Sequence, residues 1–185
     1  MGPSEQAGTL GYTYPHHPSV QALFDQGAPV TPFLRGALSQ WQRAHFTVDG
    51  VEFNCAEQYM MYRKALLFGD ERMAAKILEA TKPFDHKRMG QQVQGFDQDT
   101  WVEARIDIVL TGNRAKFGQN DGLAKKLLRT EGTLLAEVNP RDEIWGIGLA
   151  EADPRVQDPS QWQGINLLGS ILMEIRRELI EGAAT

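Results

Sequence analysis

At 185 residues, 42% of them hydrophobic, the chain can bury one substantial core and calls for no second domain. A formal charge of −5 with no dense basic run excludes non-specific binding to long nucleic acid, though a few cations or a helix start would suffice for a small anion. The one cysteine, Cys55, excludes an intramolecular disulfide, no leader-like segment opens the sequence, and no apolar run approaches the ~18–20 residues of a membrane span, so a cytoplasmic protein is expected.

Residues 1–32 are rich in Gly, Pro and polar types with little periodicity, and read as a flexible or loosely docked arm within which SVQALF can form a short turn of helix. His16 and His17 are adjacent and have no partner at metal-ligand spacing, so they read as exposed tail residues. Residues 33–185 read as the folded domain. HFTVDGVEF, residues 45–53, alternates apolar and polar types around Asp49-Gly50, a hairpin signal. A helix follows from Asn54 and stops near Gly69, with Met60 and Met61 in the core. ERMAAKILEA reads as a second helix and FDHKRMGQQV as the start of a third, with His86 on the surface. Asp97 or Asp99 caps a fourth helix that carries Trp101 and runs through Thr111-Gly112 towards Phe117. GLAKKLLRT is a compact helix, TLLAEV a β-rich run, and residues 166–181 a closing helix with an apolar stripe through Leu168, Ile171 and Ile175. No βαβ alternation or internal repeat is present, and the expected fold class is α+β, a mostly helical single domain with a small β-element.

Four stretches carry candidate chemistry. On the helix after Asn54, Glu57 and Lys64 are seven positions apart and almost eclipsed, yet a rise of ~10 Å is too long for the usual ion pair, so both can face a third group. The plain alternative for Glu57 is a capping box with Asn54. Asn139-Pro140-Arg141-Asp142-Glu143-Ile144-Trp145-Gly146-Ile147-Gly148 gathers an amide, a carboxylate and an indole in one turn-rich loop. Its glycines let backbone approach a ligand, and Trp145 can stack on a base; equally, Asp142 can bond local N–H groups while Trp145 fills the core. Gly164 and Asn166 stand at the mouth of the last helix, suited to phosphate or to ordinary capping. KFGQN supplies Lys116 at a polar helix end. Cys55 is better read as packing than as a nucleophile.

Taken together, VDGVEFNCAEQYMMYRKALLFGD, Trp101 with its helix, KFGQN, the Glu137-to-Gly148 loop and the closing GINLLG resemble the NADAR superfamily, the YbiA-like N-glycosidases, over Phe33 to Leu179. Ser39-Gln40-Trp41 departs from that family's more usual Ser-Asn-Phe/Tyr-like start. The resemblance implies a hydrolase that cuts the N-glycosidic bond of a phosphorylated riboside, of the kind met as phosphoribosylamino-pyrimidine intermediates of riboflavin synthesis, or of ADP-ribosylated guanosine or a nucleic acid base. It assigns Glu57, Lys64 and Asp142 to catalysis and Trp145 and Asn139 to substrate binding. With these go backbone approach at Gly146 and phosphate contacts from Asn166, Arg63 and Lys116, and no cofactor, metal or membrane. Oligomeric state is left open. Lys64 either attacks C1 to form a Schiff base, with the carboxylates moving protons, or merely holds a substrate group while a carboxylate stabilises an oxocarbenium-like centre. A non-catalytic ADP-ribose or nucleotide reader is the alternative.

Overall fold

The computed structural model describes residues 14–183, which fall into two compact units, one built from residues 14–39 and 125–183 and the other from 40–124. No helix among the described residues is long and apolar enough to cross a membrane.

In the first unit, helix α1 (Pro18–Asp25) starts on a proline and is capped by the His17 ring, which accepts from the Ser19 N–H at 3.3 Å. Strand β1 (Val30–Phe33) pairs in parallel with β4 (Leu134–Glu137). The Gln157 side chain bonds both the N–H and the C=O of Val30, occupying main-chain groups at the start of that strand. Helix α7 (Leu167–Ala183) packs along β4, and its Leu167, Leu168, Ile171 and Leu172 are wholly buried. Gly169 makes this possible: a Cβ there would come within 2.2 Å of the Leu135 carbonyl. Arg176, buried on the same helix, donates to the Thr130 and Thr133 carbonyls and so ties down the turn before β4.

Of the expected arm, residues 1–13 lie outside the described residues, while 14–32 contain α1 and most of β1. His16 is not a loose tail residue: its ring stacks on Phe24 at 4.8 Å and its Nε2 lies 2.9 Å from Ser170 Oγ on α7. Val20, 4% exposed, and the Phe24 ring supply apolar surface that makes this docking favourable, and the His17 cap fixes its start.

In the second unit, β2 (Phe46–Val48) and β3 (Val51–Phe53) form the antiparallel hairpin anticipated from Asp49-Gly50, whose φ values of 50° and 79° are those of a type I′ turn. Helix α2 (Ala56–Leu67) is its central element, ended by Gly69 at φ 72°, and packs against α3 (Glu71–Glu79), α4 (Pro83–Gly90) and α5 (Gln98–Gly118). Phe53 sits edge-on to Tyr59 at 5.0 Å, and Tyr59 in turn lies on Gly112, where a Cβ would come within 2.4 Å of its ring. That contact explains why α5 carries Thr111-Gly112 without ending there. Asp97 caps α5 through the Thr100 N–H, and α6 (Asp121–Leu128) leads the chain from this unit into the other. His86, expected at the surface, is fully buried, with Nε2 3.2 Å from Asn54 Oδ1. The polar run around it hid this, because α4 turns that one ring inward against α2.

Candidate active site

Glu57 does not serve as the capping-box carboxylate. The Asn54 N–H is taken by Gln58 Oε1 at 2.8 Å, one position further along α2, and the helix has Cys55, with no side-chain cap bond, before its first turn. Gln58 uses its other end to donate to the carbonyls of Ile77 and Ala80, closing the C-terminus of α3. The structural duty expected of Glu57 thus belongs to Gln58. Glu57 itself is 5% exposed, and its N–H donates to the Gln40 carbonyl at 3.0 Å. Gln40 is held in turn, its Oε1 accepting from Asn113 Nδ2 at 2.8 Å. A run of hydrogen bonds from α5 through Gln40 therefore fixes the first turn of α2 and the acid on it.

Two turns on, Lys64 is half-buried between aromatic rings, its Nζ 4.5 Å from the centre of Phe96 and 5.4 Å from that of Trp101. Burial lowers its proton affinity below that of an ordinary lysine, and the negative charge of Glu57 partly restores it. The seven-residue spacing read from the sequence therefore places an acid and a half-buried amine within electrostatic reach. Arg63, beside it, is half-buried and lies 4.0 Å from the largely exposed Asp49 at the hairpin turn, an ion pair of small energetic consequence.

Lys116, anticipated as a phosphate contact, is completely buried in α5. Its Nζ lies 4.8 Å from the Phe117 ring, and loss of solvent brings its pKa down to about 7, an effect partly offset by Cys55. With no exposed surface, its amine does not stand at the polar helix end where a phosphate contact was expected. Cys55 is buried as well, and the same loss of solvent pushes its thiol up to about 11, leaving no thiolate at neutral pH.

In the other unit, the loop after β4 is folded on itself. Asp142 Oδ1 accepts from the N–H groups of Ile144 at 3.1 Å and Trp145 at 2.8 Å, and Asn139 Oδ1 accepts from the Arg141 N–H at 3.0 Å. Trp145 and Asn139 are half-buried. Gly146 is pressed against main chain, so that a Cβ would lie 2.7 Å from the Glu137 carbonyl; its closeness serves the loop's own packing. Asn166 neither caps α7 by its side chain nor faces outward. It is 2% exposed at φ 53°, donates to the Leu135 carbonyl at 2.8 Å and accepts from the Glu137 N–H at 3.1 Å. The amide expected to reach a phosphate is thus taken up by the backbone of β4.

Sequence reasoning did not single out Phe96 or the Gln40–Asn113 pair. The one mark of Phe96 is an isolated aromatic in the polar tract QQVQGFDQD, directly before the capping Asp97, and Gln40 stands out only as part of the departure at Ser39-Gln40-Trp41.

The mostly helical α+β fold thus carries a buried carboxylate, Glu57, and a half-buried amine, Lys64, on one helix. A sequence model described as the NADAR domain matches residues 31–180, and the chain belongs to that family. It is 46% identical over 146 residues to N-glycosidase R617 of Acanthamoeba polyphaga mimivirus, covering 76% of this chain and 85% of that one. It is 32% identical over 148 residues to riboflavin biosynthesis protein VVA0006 of Vibrio vulnificus, covering 80% of this chain and 36% of the relative. The NMR structure of the Escherichia coli protein YbiA superposes with a TM-score of 0.70 at 26% identity, over 85% of this chain and 88% of that one.

Proposed function

We propose that this protein cleaves the N-glycosidic bond of an amino-linked riboside, with Lys64 as nucleophile and Glu57 moving protons. That the chain is a hydrolase acting on N-glycosyl compounds follows from its family and from relatives named N-glycosidase. The observation that carries the residue assignment is the Lys64 amine itself: dried by Phe96 and Trp101, lowered in proton affinity, and sensing the charge of Glu57 along one helix.

The chemistry follows from those properties. A proton delivered to the ring oxygen opens the sugar and leaves C1 double-bonded to the base nitrogen. The neutral Lys64 amine adds its electron pair to C1, and the proton it then carries passes to the leaving nitrogen. That nitrogen departs with the electrons of its bond to C1, freeing the base as an amine and leaving C1 joined to Nζ as an iminium. Water adds to C1 while Glu57 takes its proton, and collapse returns the Lys64 amine and an open-chain sugar.

The substrate we favour carries phosphate on the ribose: either a phosphoribosylamino-pyrimidine, in keeping with the Vibrio relative's name, or an ADP-ribosylated guanosine or nucleic acid base. The cytoplasm, where a lone buried thiol such as Cys55 stays reduced, is the compartment we assign. Asn139, Asp142 and Trp145 are proposed as substrate contacts in their own right, with Asp142 also holding the loop's shape.

Incubation with each substrate class, followed by release of base and sugar, tests the activity and identifies the branch. Borohydride added during turnover should give a mass adduct on Lys64, and Lys64→Ala should lose both adduct and activity. Near-normal turnover by Lys64→Ala would remove the lysine from the chemistry and favour a route in which a carboxylate alone supports an oxocarbenium-like centre.

A further inference from the structure

Phe96 occupies a place that packing alone does not require. Its ring is 44% exposed, yet it is aimed at Lys64: Gly95, at φ 70°, makes the turn that brings it over α2, and the Phe68 ring braces it at 5.2 Å and 62°. Trp101 flanks the same amine from the first turn of α5. Two aromatic rings thus converge on the amine nitrogen.

We infer that Phe96, with Trp101 beside it, is a further catalytic residue, whose ring face stabilises the positive charge that the reaction places on Lys64 Nζ. The inference rests on the reading of Lys64 as nucleophile. In that scheme Nζ enters as a neutral amine, becomes cationic when its electron pair joins C1, passes that charge with its proton to the base nitrogen, and becomes cationic again as the iminium when that nitrogen leaves with its own pair. A ring face attracts a cation and is nearly indifferent to a neutral amine, so the contact strengthens as the charge appears.

The test exploits the exposure of Phe96, which allows substitution without opening the core. Residue 96 is replaced by mono-, di- and trifluorinated phenylalanine, which keep the ring's size while draining its face of negative potential. The readouts are kcat, KM and the fraction of Lys64 trapped by borohydride. Stepwise decline of kcat and trapped fraction, reaching about tenfold for the trifluorinated ring with KM little changed, supports the inference, as does recovery in Phe96→Trp of activity lost in Phe96→Leu. A flat fluorination series with Lys64 still trapped overturns the role of Phe96 and leaves the lysine chemistry standing; if Phe96→Leu is nonetheless slow, the ring acts only by packing. Absence of any adduct in the unsubstituted protein, with turnover persisting in Lys64→Ala, overturns the lysine reading and this inference with it.

Discussion

Replacing Lys116 by methionine should change how stability depends on pH, by an amount set by its burial. The amine has no exposed surface, and its folded-state pKa is about 7 against 10.5 for a free lysine. Because the folded value is the lower one, the unfolded chain binds more protons between those two values, and stability rises with pH across the interval. The penalty is absent above the unfolded value, grows as pH falls, and is complete below about pH 7. At pH 7 it amounts to about 4 kcal/mol, and from pH 7 to pH 9 about 2 kcal/mol of it should disappear. Above that range Cys55, pushed up to about 11, titrates in the opposite sense, so the measurement belongs below it. Methionine keeps the length and apolar character of the stem, so Lys116→Met should be more stable at pH 7 by about 2 to 4 kcal/mol, the lower figure allowing for lost contacts with Phe117 and other neighbours. Urea titrations of both proteins at several pH values give the answer. Parallel stability curves for the two would refute the buried-amine argument, as would a methionine variant that is less stable throughout.

The remaining predictions concern the site and its supports. The rate of cleavage should rise with pH through the titration of Lys64, at a pH below that of an ordinary lysine, since only the neutral amine attacks; Glu57→Gln removes the charge that raises its proton affinity and should move this limb to lower pH while slowing turnover. Asp142→Asn keeps the acceptor for the Ile144 and Trp145 N–H groups but not the charge, so a loss of about a hundredfold in kcat would assign Asp142 to proton transfer, and near-normal kcat would confine it to shaping the loop. Asn166→Ala deletes two buried hydrogen bonds to β4 and should cost about 2 to 3 kcal/mol in denaturant unfolding, with an unchanged midpoint refuting the stabilising role of those bonds. Gly169→Ala forces a Cβ onto the Leu135 carbonyl and should be more damaging still, seen as loss of the cooperative thermal transition.

What the sequence revealed was local. Asp49-Gly50, the Asp97 cap and the stop at Gly69 each depend on neighbours within a few positions, and each is found in the structure. The Glu57–Lys64 spacing was legible for the same reason, because helix geometry alone sets it. Glu57 as a cap was not: whether Glu57 or Gln58 takes the Asn54 N–H depends on Gln58 also finding the end of α3, twenty residues on. Asn166 looked like a helix mouth because its partners, Leu135 and Glu137, sit in a strand about thirty residues away. Lys116 and His86 misled because charged and polar neighbours in sequence say nothing about which single side chain a helix turns inward. Phe96 had no periodic pattern at all; its importance comes from what it covers.

The pairing of β1 with β4 joins Val30 to Leu134 across 104 positions (134 − 30), with all of residues 40–124 strung between them. During synthesis the intervening unit leaves the ribosome with its own partners already in hand, whereas β1 must wait for a strand not yet made. The N-terminal strand is therefore an orphan for most of the chain's elongation, and premature termination before residue 134 would strand it with an exposed edge. Ribosome-stalled nascent chains ending on either side of β4 should differ sharply in how readily a protease cuts near Val30.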